Sequence, residues 1–118
     1  METIRYSIQD FFNTCKGKVL SHWARRKKSR RLHIHYIVAK TDGRAADTRI
    51  ILEDAGIRVL TDDRNLVLLK DRFHERLHTQ AYFDCVNACF AGKRGKDVQV
   101  INTLFALKTI LAIINTEA

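Results

Sequence analysis

Leu32-His33-Ile34-His35-Tyr36-Ile37-Val38-Ala39 is the stretch on which the reading of this chain turns. It is short and rich in β-formers, so it predicts a strand. Side chains alternate along a strand, which puts His33 and His35 on one face and Ile34 and Tyr36 on the other. Just before it, Arg25, Arg26, Lys27, Lys28, Arg30 and Arg31 place six cations in seven residues. A histidine strand therefore follows directly on a charge-dense segment.

Outward from this strand, the periodicity predicts a mostly helical α+β domain. Ile8, Phe11, Phe12, Cys15, Val19 and Trp23 recur at three- and four-residue steps and predict a helix over 7–23, with Ser7 as a cap. Thr41-Asp42-Gly43 marks a turn. Ala45, Thr48, Ile51, Leu52 and Ala55 predict a helix over 45–55, stopped by Gly56. Residues 57–61 read as a short extended piece, 62–65 as a turn and 66–69 as a second strand. A long helix is predicted from Asp71, its N-cap, to Phe90, with a break at Gly92 to Gly95. A last helix follows over 97–115. The expected organisation is one domain over 1–118. It comprises a helix and basic segment (1–31), a hairpin-plus-helix core (32–91) and a C-terminal helix (92–118).

Composition narrows the function classes. The chain has 118 residues, 46% of them hydrophobic, three cysteines and no proline. That apolar content excludes wholesale disorder. Three cysteines are too few, and odd, for a disulfide scaffold. Cys85 and Cys89, at helical spacing, are expected as buried thiols, and Cys15 has no motif partner. The net charge of +8 points to an anionic partner. No signal-type apolar run opens the chain. The apolar stretch from Val98 to Ile114 is interrupted by Asn102, Thr103 and Lys108, so no membrane insertion is expected.

His74-Glu75-Arg76-Leu77-His78 carries the next signal. On a helix, His74 and His78 would project from one face one turn apart, which is good geometry for a metal. The pentapeptide is also literally H-E-x-x-H, so a zinc metalloprotease is a competing reading. That reading needs a third ligand and an extended edge strand for the substrate. A strongly basic surface does nothing for peptide hydrolysis.

The series as a whole resembles the AHH nucleases of the HNH/endonuclease VII superfamily. It is carried by His35-Tyr36-Ile37-Val38-Ala39, by Ala46-Asp47-Thr48-Arg49-Ile50-Ile51-Leu52 with Gly56-Ile57, by Asn65-Leu66-Val67-Leu68-Leu69, and by His74-x-x-x-His78-Thr79-x-x-Tyr82. Order and spacing fit over roughly half the chain. The resemblance implies a ββα-metal core around one divalent cation, with His35, His74 and His78 as ligands and Asn65 orienting the site or adding a ligand. Imidazole ligands suit zinc, manganese or nickel better than magnesium, though magnesium stays open. It further implies a metal-dependent endonuclease of low sequence specificity, acting on DNA with RNA open. Such domains are toxins delivered from a producing bacterium into the cytoplasm of a target cell, and are met by a cognate immunity protein, here expected to be acidic. Arg49 stands at the place of the family's arginine, for phosphate contact or a structural ion pair. Tyr82 is expected in the core or behind the ligands.

One departure matters. The family pattern has two adjacent histidines, a ligand and then a general base. In the register set by Ile37-Val38-Ala39, His35 takes the ligand place and Tyr36 the base place. Tyrosine, with an unperturbed pKa of about 10, is a poor base at neutral pH. Three readings stand. Tyr36 is an inactivating substitution; or a bulge slips the register, making His35 the base and leaving the metal to Asn65, His74 and His78; or His33 or a water replaces the missing function. A non-catalytic nucleic-acid-binding module with the same fold is the corresponding alternative. Ala39 also stands where the family often carries proline. Between Lys16 and Arg44 lie ten Lys or Arg and one acid, Asp42. Arg25 to Arg31 are thus candidate phosphate contacts beside the histidine strand.

Overall fold

Two five-residue strands, β1 (Leu32–Tyr36) and β2 (Leu66–Lys70), pair antiparallel into one hairpin-like sheet. They come from a computed structural model that describes residues 9–15 and 31–117. The register runs without interruption from Leu32 opposite Lys70 to Tyr36 opposite Leu66. No bulge breaks the paired residues, so the slipped register lacks the irregularity it needs. β1 is shorter than the expected 32–39, because Ile37 and Val38 bend away at its end.

The remaining described elements are helical. Residues 9–15 form α1, within the helix expected over 7–23. The expected basic run, Arg25 to Arg30, lies outside the described residues, and Arg31 is exposed. Between the strands, a single 3-10 turn (Gly43–Ala45) leads into α2 (Ala46–Asp54). Asp42 caps that turn by accepting from the Arg44 amide at 2.9 Å. Gly56 ends α2 as the sequence requires. Its φ of 81° lies in the left-handed region, where a missing Cβ removes the steric penalty. Residues 57–61 are turns and irregular chain, not the expected extended piece. Val59 is buried and held by Glu53 at its amide, 3.0 Å away, so the segment closes onto α2 with no strand to join.

The expected long helix over 71–90 is two helices. α3 (Asp71–Arg76) ends before His78, and α4 (Gln80–Phe90) begins afresh. Thr79 makes the break. Its backbone is extended and its hydroxyl accepts from the Tyr82 amide at 3.2 Å, an N-cap in mid-pattern. The N-cap of α3 is Lys70, with Asp71 inside the first turn. His74 is therefore helical and His78 is not, so the one-helix geometry that an H-E-x-x-H protease requires is absent.

α5 (Asp97–Glu117) closes the fold against β2 and α4. By length and composition it is long and apolar enough to cross a membrane, despite the interruptions at Asn102, Thr103 and Lys108. Here Val100, Leu104, Leu107, Leu111 and Ile114 form a buried stripe in the core. Its end is tied to the sheet by Asn115, whose Oδ1 accepts from the Lys70 amide at 2.7 Å. The core also takes Phe11, Leu52, Leu69, Leu77 and Phe90. Each such side chain contributes roughly 1.5–3 kcal/mol on burial. Cys15 and Cys89 are buried free thiols, and Cys85 is half-buried. The result is a mostly helical α+β domain with a two-stranded antiparallel hairpin at its centre.

Candidate active site

The hairpin's inner face explains how the histidines gather. His33 lies opposite Leu69 and His35 opposite Val67. β2 thus supplies aliphatic side chains to the core, while β1 supplies imidazoles on the same side. α3 follows β2 directly and packs on both strands. This brings His74 to His35, with ring centres 5.2 Å apart, and to His33 at 5.5 Å. The bend after α3 then turns His78 back, 4.8 Å from His74 and 6.4 Å from His35. The Nε2 atoms of His74 and His78 are 3.3 Å apart.

These spacings can be tested against a cation. Two imidazole nitrogens on one tetrahedral ion, with bonds of roughly 2.0–2.1 Å, sit about 3.3 Å apart, and their ring centres about 5 Å apart. The His74–His78 pair fits, and the His35 ring lies at fitting distance from His74. Among the described residues, no group of three or more His, Cys, Asp or Glu side chains is gathered as a finished metal site. The His35 Nε2 is 2.8 Å from the Tyr82 hydroxyl. Three neighbouring imidazoles are nonetheless a donor set suited to a divalent transition metal.

Protonation supports the donor set. Burial first, then the proximity of His74 and His78, pushes the His35 pKa down to about 3. His74 is also lowered, by desolvation and then by His78 and His33, against the opposing pull of Asp71 and Glu75. Neutral imidazole is the form that binds a metal. His33 takes a different place. Its Nε2 is 2.6 Å from Asp71 Oδ1, yet among the described residues that nitrogen has no aligned hydrogen-bond partner.

Asn65 sits behind the histidines. It is fully buried. Its Oδ1 accepts from the Val38 amide at 2.8 Å, and its Nδ2 donates to the carbonyls of Val38 at 3.0 Å and Val59 at 2.9 Å. Its own carbonyl accepts from the Ile37 amide at 2.9 Å. The ligand role considered for Asn65 is therefore not open to it: the amide is committed and sealed from solvent. It pins the bend that follows β1. Arg49 is likewise drawn inward. Its Nη1 donates to the carbonyls of Ala39 at 2.8 Å and Asp42 at 2.7 Å, bracing the same loop. This replaces the ion-pair reading with backbone bracing and leaves phosphate contact without a free Nη1.

A cleft of about 360 Å³ opens beside this cluster. His35, His74 and His78 line it together with Tyr36, Lys40 and Thr41. Tyr36 is half-buried at the strand end, with the Lys40 ammonium 4.9 Å from its ring centre. The base position of the motif thus opens on the same cleft as the metal-ligand candidates. Lys40 escaped the sequence reading, since it counted only towards the general basic surplus. Arg44, at the neighbouring turn, is spent on Asp42 at 2.9 Å and on the Phe83 ring, 4.0 Å from its centroid.

Imidazoles beside an exposed lysine are groups suited to phosphodiester chemistry. Residues 19–117 match the family described as "a nuclease family of the HNH/ENDO VII superfamily with conserved AHH". The chain belongs to this AHH nuclease family, whose superfamily typically uses a divalent metal. No curated protein and no solved structure gives a significant match. The tripeptide Ala-His-His occurs nowhere in the chain, and Ile34-His35-Tyr36 stands in its register.

Proposed function

We propose that the protein is a metal-dependent endonuclease of low sequence specificity that cuts DNA, with His35, His74 and His78 as the ligands of one divalent cation. The observation that carries this is the 3.3 Å separation of the His74 and His78 Nε2 atoms beside a neutral, buried His35. A divalent cation bound there supplies Lewis-acid stabilisation of charge developing on the scissile phosphate. Lys40, exposed on the cleft rim, offers the phosphate a cationic contact without reading bases. The bend fixed by Asn65 and Arg49 sets where His35, Tyr36 and Lys40 meet the substrate. The basic run of Arg25, Arg26, Lys27, Lys28, Arg30 and Arg31 adds salt-dependent affinity for the backbone. Zinc, nickel or manganese suits the three imidazoles better than magnesium. As a working role, the chain is a toxin domain delivered from a bacterium into the cytoplasm of a target cell. An acidic immunity protein would complement its +8 charge.

Tyr36 favours one second reading, a nucleic-acid-binding module that no longer cuts. Supercoiled plasmid separates the two. The purified chain and its Tyr36→His variant are incubated with the plasmid, with and without EDTA, and nicking is followed on a gel beside an RNA control. Nicking that EDTA stops is expected, with the variant faster by about 10²–10⁴-fold, the usual worth of a positioned base. Slowed migration without cutting by either protein supports the binding module. A variant that cuts no better than the parent removes Tyr36 from the base position.

A further inference from the structure

Tyr82 lies on α4, outside the histidine cluster, yet among the described residues it is the polar partner of the His35 ring. Its hydroxyl is 2.8 Å from His35 Nε2 and 3.0 Å from the carbonyl of Ile37. The ring is almost fully buried, packed on Phe11 at 5.5 Å between centroids and on Phe83 at 5.9 Å. Such a hydroxyl cannot drift towards water. Both of its contacts must then be satisfied from within, because an unpaired buried polar atom is costly.

The proton count settles the arrangement. A phenol has one proton to give, and a backbone carbonyl can only accept. The Tyr82 hydroxyl therefore donates to Ile37, and its oxygen is left to accept from His35. His35 Nε2 must carry the hydrogen, which makes Nδ1 the lone-pair nitrogen. Ile37 is itself fixed by the Asn65 carbonyl at its amide, 2.9 Å away, so the acceptor does not move.

We propose that Tyr82 is a positioning residue that locks His35 in the Nε2–H tautomer and so presents Nδ1, and no other ring atom of His35, to the cation. This deepens the metal-nuclease reading and rests on it for the identity of the ligand. A ligand histidine whose second nitrogen is fixed by an outer partner binds with the correct tautomer and orientation, and loss of such a partner costs about 10–100-fold in metal affinity.

The test begins with the metal-free wild-type chain. Histidine-selective ¹⁵N labelling and long-range ¹H–¹⁵N correlation spectra distinguish the two neutral tautomers directly. His35, assigned by the loss of its signals in His35→Gln, is expected as the Nε2–H form alone. In Tyr82→Phe the hydroxyl is gone and the ring is kept, and His35 is expected to become a mixture or to switch to the Nδ1–H form. Zinc titrated calorimetrically into Tyr82→Phe, with folding checked by circular dichroism, is expected to bind about 10–100-fold more weakly than to wild type. An Nδ1–H tautomer in the wild type overturns the proposal without any variant. So does a folded Tyr82→Phe with an unchanged His35 tautomer and zinc affinity within twofold of wild type. If wild type shows the Nε2–H form but binds no zinc, nickel or manganese, the metal-site reading fails and this proposal fails with it, while the tautomer lock itself stands.

Discussion

The two strands of the hairpin use the same inner face in opposite ways. β2 sends Val67 and Leu69 inward, as a half-buried strand should. β1 sends His33 and His35 to the same side and leaves Leu32 and Ile34 more than half exposed. By hydrophobicity alone β1 is inside out. It holds that orientation because its buried imidazole has a partner: His35 meets Tyr82, while Asn65 and Arg49 brace the loop that follows. Burying a polar ring costs free energy unless it is hydrogen-bonded. The contrast sets aliphatic side chains against imidazoles on one face, at directly paired positions of one sheet.

The sharpest way to break the contrast is to set a loss at the cleft against a loss in the core. His78→Ala is expected to abolish zinc binding and plasmid cleavage while the thermal midpoint stays within a few degrees, since His78 is exposed. Leu69→Ala, at a fully buried position, is expected to cost about 2–5 kcal/mol in urea unfolding and to leave zinc affinity intact in the folded fraction. Should His78→Ala unfold the protein as Leu69→Ala does, the histidines belong to the core and no division of labour exists.

A comparable loss of stability is expected at the residue that joins the two strands. Asn65→Leu keeps the volume and removes three hydrogen bonds, leaving two Val38 groups and the Val59 carbonyl without their partner. Unpaired buried groups cost about 1–3 kcal/mol each, so a loss near 3 kcal/mol or more is expected by chemical denaturation. Zinc binding should weaken along with it, because the bend carrying Ile37 and Val38 loosens. A variant as stable as the parent would mean that the bend needs no pin.

Much of this was legible in the sequence, for identifiable reasons. Both strands, α2 with its Gly56 stop, and the last helix follow from local periodicity and a left-handed glycine. The meeting of His35, His74 and His78 was inferred from motif order, which encodes a long-range contact that no local rule supplies. The long helix over 71–90 was misread because its apolar spacing continues through Leu77. Thr79 could have signalled the break, being a good N-cap residue, yet nothing local shows that its hydroxyl turns to the Tyr82 amide. The roles of Asn65 and Arg49 were hidden more deeply. Their hydrogen bonds go to backbone groups of Val38, Val59, Ala39 and Asp42, and backbone donors and acceptors leave no trace in residue identity.

Acid should weaken the inside-out strand before the aliphatic one. Native His35 stays neutral down to a pKa of about 3, against 6.5 for an unperturbed histidine. Between those values the unfolded chain binds the extra proton, so stability falls as pH drops through this window and is fully present above it. One pKa unit corresponds to about 1.4 kcal/mol, which gives a loss of about 2 kcal/mol between pH 6.5 and about pH 5. Urea melts of the wild type and His35→Gln in EDTA measure it. The variant should show a flatter profile over that range. Parallel profiles would place the acid sensitivity on another group.

The mildest change is expected on the outer face, where Ile34 and Leu68 sit opposite each other, both 55% exposed. Threonine keeps the β-branched fit to a strand while removing apolar surface. Exposed substitutions away from caps and cores usually stay within about 0.5 kcal/mol. Ile34→Thr with Leu68→Thr should therefore leave stability, zinc affinity and nicking close to wild type, and improve solubility. A loss of about 2 kcal/mol in the double variant would contradict the comparison at its root. Ile34 and Leu68 would then be core residues in solution, and β1 would be a strand buried on both faces. The inward turn of its histidines would then no longer cost the strand an apolar contact.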